Sequence, residues 1–193
     1  MTDETWPSQW IVESWQGDFG FQLRPGEEGH VHDPVAAEHF RATLGRFATG
    51  VSVVTGTADG EPVGLTCQSF TSVSLDPPLV LFCPAKTSRA WPRIEASGGF
   101  CVNILARDQQ HVSDVMASRG IDKFAGLDWQ PSPETGSPLL PGILAYVDCA
   151  IHQVHEAGDH YVVIGRVVDL DTDEVDADPL LFFQGKYRTT DPR

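Results

Sequence analysis

Short apolar runs alternate with small polar residues along the chain, a pattern typical of β-strands rather than of long helices. The first two runs flank Asp59-Gly60, a pair that favours a tight turn between paired strands. Further turns are predicted at Asp76-Pro77-Pro78 and at Gly158-Asp159, where proline and glycine interrupt the pattern. These signals predict strands at 51–55, 62–66, 69–74, 79–83, 100–105, 143–155, 160–170 and 180–183.

Three segments have helical spacing instead. The first begins at Asp33-Pro34, because aspartate suits the N-cap and proline suits the first helical position, and Gly50 ends it. The other two are predicted at 88–96 and 108–117, and a loop rich in proline and glycine follows at 118–142.

Many antiparallel strands with few helices indicate a mainly β fold, a β-barrel with a few decorating helices. We expect this domain to span 34–190. Residues 1–33 differ in composition, because they are acidic and hold three tryptophans without a sustained period. They are predicted to form an N-terminal extension.

Composition limits the partners that the chain can bind. At 193 residues and 41% hydrophobic content, it is long enough for one packed domain with an extension. Its formal net charge of −14 argues against nucleic acid and anionic membrane surfaces, which both require basic patches. An anionic cofactor stays possible, since it needs only a local cluster of cations and backbone donors.

Cysteine and histidine spacing predicts neither a disulfide nor a metal site. His152 and His155 are three apart in a predicted strand, so they face opposite sides. The apolar runs are too short to cross a bilayer and no leader pattern is present, which predicts a cytosolic protein. In that reducing compartment we expect buried free thiols at all four cysteines, which are Cys67, Cys83, Cys101 and Cys149.

A stretch of small polar residues at 64–74 is a candidate surface for a flat ligand. Gly64 permits close backbone approach. Thr66, Gln68 and Ser69 offer hydrogen-bonding groups that suit the carbonyls and nitrogens of an isoalloxazine ring. Any strand with an exposed face carries similar residues, so an ordinary surface strand is the alternative.

The cluster Lys86-Thr87-Ser88-Arg89 is a candidate anion site. A hydroxyl at a helix N-cap, free backbone N–H groups and two neighbouring cations together suit an anionic group. We expect it to hold the anionic tail of a ligand whose ring lies against 64–74. The alternative is an ordinary serine-capped helix with solvated cations.

Residues 38–188 resemble the flavin reductase family, the small reductase components of two-component monooxygenases that share a diffusible flavin. Reductases that serve aromatic-ring and steroid-degrading hydroxylases are especially similar. The resemblance rests on Thr49-Gly50-Val51, Pro62-Val63-Gly64, Ser69-Phe70, the segment 74–79, Asp122-Lys123-Phe124-Ala125-Gly126, Gly158-Asp159-His160 and the segment 179–185.

This resemblance implies a split β-barrel of the FMN-binding type, a homodimer with FMN or FAD near the subunit interface. The flavin-binding positions, with Lys86 added from the cationic cluster, are Pro62, Val63, Gly64, Leu65, Thr66, Gln68, Ser69, Cys83, Pro84, Ala85, Lys86, Ser88 and Arg89. The nicotinamide-binding positions are Gly158, Asp159, His160, Phe182, Phe183, Gln184 and Gly185.

Two departures from the family pattern are present. Val115-Met116 stands where the family often has Arg-Phe, so a contact to the flavin or its phosphate is missing. Gln184 stands where some relatives carry a basic residue that contacts the dinucleotide.

The resemblance implies an NAD(P)H-dependent flavin reductase that transfers hydride to FMN or FAD and supplies a partner monooxygenase. His160 is its catalytic candidate, because an imidazole can orient the nicotinamide carboxamide or provide a proton at neutral pH. By itself, a Gly-Asp-His hairpin tip also fits an exposed turn histidine. The competing hypothesis for the chain is a non-catalytic flavin-binding or interaction module, motivated by Val115, Met116 and Gln184.

Overall fold

The structure, a computed structural model, describes residues 34–119, 121–172 and 177–190. The predicted extension, 1–33, lies outside these residues. The chain divides into two units, Met1–Phe47 and Ala48–Arg193. Helix α1 (Pro34–Leu44) belongs to the first unit, and the described strands belong to the second. The predicted domain start at residue 34 precedes this division and stays a prediction.

Strands dominate the second unit, as the sequence pattern predicts. The helices are α2 (Trp91–Ser97) and α3 (Gln110–Ala117). The strands are β1 (Thr49–Gly50), β2 (Ser52–Ala58), β3 (Glu61–Cys67), β4 (Thr71–Leu75), β5 (Pro78–Phe82), β6 (Gly99–Ile104), β7 (Gln130–Pro131), β8 (Pro138–Leu139), β9 (Ala145–Ala157), β10 (His160–Thr172), β11 (Leu181–Phe183) and β12 (Lys186–Arg188).

Seven strands form an antiparallel sheet in the order β3-β2-β6-β9-β10-β5-β4, and β1-β11-β12 form a second sheet. Backbone bonds join the two. The N–H of Val51 donates to the oxygen of Leu180 at 3.0 Å, and the N–H of Leu180 donates to the oxygen of Leu105 at 3.0 Å. A mainly β fold with few helices is therefore confirmed.

Tight turns set the register of the two hairpins that matter for the site. Between β2 and β3, Asp59 and Gly60 have φ of 55° and 80°, the left-handed conformation that a two-residue hairpin turn requires. Between β9 and β10, Gly158 has φ of 62° and His160 pairs with Ala157. Both turns are predicted correctly.

Apolar residues pack on both faces of the large sheet. Val54 belongs to one core cluster and Val53 to the other, because successive residues of β2 face opposite sides. Helix α2 adds Trp91 to the first cluster, and helix α3 adds Met116 to the second.

Four strands, two helix starts and one helix end are missed by the sequence pattern. Helix α1 ends at Leu44, and Gly50, predicted to end it, lies in strand β1. Strands β1, β7, β8 and β12 have two or three residues each, too few for a period to be visible. Helix α3 begins at Gln110 rather than at 108, and its Val112 and Met116 are buried, whereas Val115 is half-buried. In the described ranges, no helix combines the length and apolar character needed to cross a membrane.

Candidate functional site

Two predicted binding segments lie side by side. Ala85 forms an antiparallel bridge with His160. The N–H of Lys86 donates to the oxygen of Asp159, and the N–H of Tyr161 donates to the oxygen of Pro84, each at 2.9 Å. The structure thus brings the predicted flavin segment 83–86 together with the predicted nicotinamide motif 158–160, and we call this place the turn junction.

Ser69 connects the end of β3 to the turn junction. Its Oγ accepts a hydrogen bond from the N–H of Cys83 at 2.8 Å and lies 3.2 Å from the Sγ of Cys67. The neighbouring Gln68 is exposed. The predicted positions 68–69 and 83–85 therefore form one continuous surface, although β3 and β5 are not neighbours in the sheet order.

Lys86 is an exposed cation whose charge already has a partner. Its Nζ lies 2.7 Å from Oε2 of Glu156 and 5.6 Å from the ring centroid of Tyr161. The hydrogen bond to Glu156 raises the pKa of Lys86, and the same bond lowers the pKa of Glu156. An anion at the cluster 86–89 would therefore compete with Glu156 for Lys86.

The predicted serine-capped helix at 88–96 is also corrected. Helix α2 begins at Trp91, and Ala90 occupies its N-cap without a capping side chain. Proline at 92 suits the first helical turn, which places the start after residue 88. The Oγ of Ser88 still accepts from the N–H of Trp91 at 3.2 Å, but from the turn before the helix. Arg89 is exposed in that turn.

At the catalytic candidate, a carboxylate sits beside the imidazole. The Nδ1 of His160 lies 2.8 Å from Oδ1 of Asp159, and the side chain of His160 is 44% exposed. A half-exposed imidazole at the first residue of β10 is available to a ligand that lies on the turn junction.

Helix α3 covers the face of β3 on which Gly64 and Thr66 lie. The sequence pattern does not predict this contact. A Cβ added to Gly64 would come within 2.9 Å of the Sδ of Met116 and 3.4 Å of Phe124. The Oγ1 of Thr66 donates to the oxygen of Ser113 at 2.6 Å. The close approach that Gly64 permits is therefore made by Met116, and the hydroxyl of Thr66 is already engaged by the helix.

Lys123 completes this contact. Its Nζ donates to the oxygen of Gly64 at 3.1 Å and to the oxygen of Met116 at 2.6 Å. Burial lowers the pKa of Lys123. We call the contact of Gly64, Thr66, Ser113, Met116 and Lys123 the helix junction. Lys123 is not among the predicted site residues, although it lies in the segment 122–126 that carries part of the resemblance.

Three predicted flavin positions offer only their backbone or their apolar side chain. Val63 is buried and Leu65 packs against the first core cluster, so both side chains face the interior. Pro62 pairs with Thr57 near the start of β3. Since β3 is an edge strand, its outer backbone groups are the parts that a ligand can reach.

The predicted nicotinamide positions 182–185 are joined to β1. Phe182 pairs with Thr49, and its ring lies 5.3 Å, centroid to centroid, from that of Tyr187 in an edge-on contact. Gln184 and Gly185 form the turn into β12 with φ of 50° and 74°. The described contacts place this segment beside β1 and the second core cluster, and they do not join it to the turn junction.

The donor set at the turn junction fits a flavin ring. An exposed amide at Gln68 and a hydroxyl at Ser69 supply donors and acceptors for ring carbonyls and nitrogens. A cavity of about 510 Å³ lies elsewhere, between Trp129, Leu139, Tyr146 and Asp171. Its described lining includes none of the predicted site residues, and a flat ligand on the surface of β3 and β5 does not need it.

Comparison with known proteins identifies the family. The model of the flavin reductase like domain matches residues 44–191. The chain belongs to the flavin reductase family. Its split β-barrel fold, expected from the sequence, is confirmed by solved structures of flavin reductases. Nitrilotriacetate monooxygenase component B from Mycobacterium thermoresistibile has a TM-score of 0.80 and 54% identity, with 82% of this chain and 89% of that chain covered.

Other relatives carry more specific names. The reductase subunit HsaB of a flavin-dependent monooxygenase from Rhodococcus jostii is 50% identical over 86% of this chain and 85% of its own. The FMN reductase (NADH) SmoA from Agrobacterium fabrum is 41% identical over 84% and 91%. The NADH:FAD oxidoreductase SgcE6 from Streptomyces globisporus, solved with NAD and FAD fragments, has a TM-score of 0.77 and 37% identity over 85% and 98%.

Proposed function

We propose that this flavin reductase uses NADH or NADPH to reduce FMN or FAD and supplies the reduced flavin to a partner monooxygenase. The turn junction carries the proposal, because two ligands must meet for hydride transfer and the segments expected to bind them are hydrogen-bonded neighbours. The FMN and FAD reductases among the relatives use NADH, and HsaB is the reductase subunit of a monooxygenase.

The chain needs to bind and orient its two ligands rather than to provide a nucleophile. Hydride passes from a reduced nicotinamide to the flavin ring, and that reactivity belongs to the two ligands themselves. In our proposal Gln68, Ser69 and the backbone of 83–85 hold the flavin ring. His160 orients the nicotinamide carboxamide, with Asp159 fixing the imidazole at 2.8 Å. Phe182, Phe183, Gln184 and Gly185 remain proposed contacts to the dinucleotide.

We also propose a homodimer, supported by exposed apolar residues at one end of the large sheet. Leu75 is 95% exposed and Leu170 is 60% exposed, and Val73 and Val168 lie beside them on the same strands. Strands β4 and β10 are separated only by β5. A second copy of the chain would bury this surface. Sedimentation of the wild type and of Leu75→Asp tests it: a dimer that the variant disrupts is expected, and a wild-type monomer would refute it.

A cytoplasmic location is proposed on the state of the cysteines. All four are free in the structure, and Cys67, Cys101 and Cys149 are buried. Burial raises the pKa of Cys149 to about 12, so that thiol stays protonated. Free thiols of this kind are usual in a reducing compartment.

The direct test is flavin-dependent oxidation of a pyridine nucleotide. Purified protein with FMN or FAD should remove the near-ultraviolet absorbance of NADH or NADPH at a rate proportional to enzyme. Absence of flavin-dependent oxidation with every pair of flavin and nucleotide would refute the reductase.

A non-catalytic flavin-binding module is the second candidate. The observation that favours it is the helix junction, where Met116 fills the space beside Gly64 and the family's arginine is replaced by Val115. Such a module would bind flavin, seen by quenching of flavin fluorescence, while NADH oxidation stayed at the rate of free flavin.

A further inference from the structure

Lys123 differs from the other described cations in its exposure. Across 34–119, 121–172 and 177–190, every other lysine and arginine is exposed, and Lys123 alone is half-buried. It follows helix α3 and reaches back to the edge strand β3, where it joins the helix junction.

The partners of Lys123 are neutral. Its ammonium donates to the oxygens of Gly64 and Met116, and within the described residues no carboxylate lies within 4.0 Å of it. The chain has 27 aspartates and glutamates, so acidic residues are abundant. Burial is the cause of its lowered pKa, with no compensating charge from a neighbour.

A half-buried cation without a counter-ion costs free energy, which a bound anion would offset. Helix α3 offsets part of this free energy, because the ammonium is bonded to the carbonyl of Met116. That carbonyl lies in the last turn, at the negative end of the helix. An ammonium group has three N–H donors, and two are used in this way. The third donor and the positive charge are left for a ligand.

The helix junction lies along β3 from the turn junction. Gly64 is three residues before Cys67, whose Sγ contacts Ser69. At about 3.3 Å per residue, this separates Gly64 from the end of β3 by about 10 Å. Strand β3 joins the two places, so a flavin whose ring lies on the turn junction has a path along β3 for its phosphate-bearing chain to the helix junction.

We propose that Lys123, rather than Lys86, is the cation that binds the phosphate of the flavin. The inference rests on the proposed function and deepens it. In this proposal Lys123 takes the place of the arginine that the resemblance leads one to expect at Val115. Its ammonium is hydrogen-bonded to the carbonyl of Met116, the next residue of the same helix.

The experiment compares flavins with and without phosphate. Riboflavin, FMN and FAD in the oxidised state are titrated against the wild type, Lys123→Met and Lys123→Arg, with flavin fluorescence as the readout. The quantity measured is the ratio of the Kd for FMN to the Kd for riboflavin on one protein preparation. This ratio is insensitive to any fraction of unfolded protein, which matters because the methionine variant loses two hydrogen bonds to carbonyls. The exposed Lys186→Met is the matched control.

We expect Lys123→Met to raise this ratio about tenfold or more, as for the loss of a charge-assisted hydrogen bond to phosphate. Lys123→Arg should retain most of the preference, and Lys186→Met all of it. Equal weakening of all three flavins by Lys123→Met would overturn the proposal, since it would leave Lys123 a purely structural tie. An unchanged ratio would overturn it as well.

Failure of the inference and failure of the proposed function give different results. If the wild type neither binds flavin nor oxidises NADH, the proposed function fails and the inference falls with it. If the wild type does both and the ratio in Lys123→Met stays at the wild-type value, only the inference fails.

If Lys123→Met is insoluble, the wild type is titrated with FMN and with riboflavin at increasing salt concentration. The affinity for FMN must then fall while the affinity for riboflavin stays constant. If salt changed the affinities for FMN and riboflavin equally, the inference would be overturned.

Discussion

Lys86 and Lys123 stand at the two ends of the candidate site and are used differently. Lys86, at the turn junction, is exposed and paired with Glu156 at 2.7 Å. Lys123, at the helix junction, is half-buried and bonded to two backbone carbonyls. The pKa of the first is raised by its partner, and the pKa of the second is lowered by burial. Their sequence context alone would favour Lys86 as the anion-binding residue, because only Lys86 lies in a cationic cluster.

The difference teaches that proximity of cations in sequence does not measure the charge available to a ligand. Glu156 lies 70 positions from Lys86 and reaches it because β9 and β10 form a long hairpin. No such carboxylate reaches Lys123 within the described residues. A ligand phosphate approaching Lys86 must compete with Glu156, whereas one approaching Lys123 competes only with neutral dipoles.

The largest expected effect comes from Gly64→Val, which breaks the helix junction. The new side chain would collide with Met116 and Phe124, since a Cβ alone would come within 2.9 Å of the Met116 Sδ. Overpacking of this kind costs about 1–3 kcal/mol of unfolding free energy, and displacement of α3 should also move Lys123. Urea unfolding and FMN titration measure the two effects.

Gly50→Ala is the control for that variant. A Cβ at Gly50 meets no atom within 4 Å, so its unfolding free energy should stay close to that of the wild type. Wild-type stability and FMN affinity in Gly64→Val would show that α3 is not held tightly against β3.

The next effect concerns His160→Ala at the turn junction. Because the imidazole is expected to contact the nicotinamide and not the phosphate, the KM for NADH should rise about tenfold while the flavin Kd changes by less than about twofold. Steady-state NADH oxidation and flavin titration separate the two. An unchanged KM would leave His160 as a turn residue only.

The pH dependence of stability offers a test in which the two lysines act with opposite sign. The pKa of Lys123 is lowered from 10.5, so between the lowered value and 10.5 the unfolded chain binds more protons and stability rises with pH. The pKa of Lys86 is raised above 10.5, so its contribution is complete below 10.5 and is lost as pH rises through the raised value.

The measurement is urea unfolding of the wild type, Lys123→Met and Lys86→Met from about pH 8 upward. Thiols and tyrosines that titrate in the same range are common to all three proteins and cancel in the differences. As the pH rises toward 10.5, the unfolding free energy of the wild type should increase relative to that of Lys123→Met. Parallel curves for these two proteins would show that Lys123 has an ordinary pKa.

The sequence predicts the framework of the fold better than the site. The Asp59-Gly60 and Gly158-Asp159 turns are specified locally, because glycine supplies the left-handed conformation that each turn needs. The strands between them follow from a period of two. The predicted helix start at Ser88 is wrong because the helix begins at Trp91, where Pro92 suits the first turn, and Ser88 lies in the turn before it.

The parts of the site that the sequence misses depend on long-range contacts. Met116 lies 52 positions from Gly64 by residue number, and nothing local shows that α3 covers this face of β3. The signal that could have identified Lys123 is its place just after a helix, where a cation meets the last carbonyls. The family resemblance contained that residue but assigned it no role.

The smallest expected effect is that of Lys86→Met, the counterpart of the variant at Lys123. An exposed ion pair contributes little to stability, so the melting temperature should stay within about 2 °C of the wild type. The ratio of the Kd values for FMN and riboflavin should change by less than about twofold, because Glu156 already neutralises Lys86. Glu156→Gln sharpens the comparison: freeing Lys86 should improve FMN binding slightly and leave riboflavin binding unchanged. If Lys86→Met instead raised the ratio tenfold while Lys123→Met did not, the two lysines would exchange roles, and the phosphate would have to lie at the turn junction.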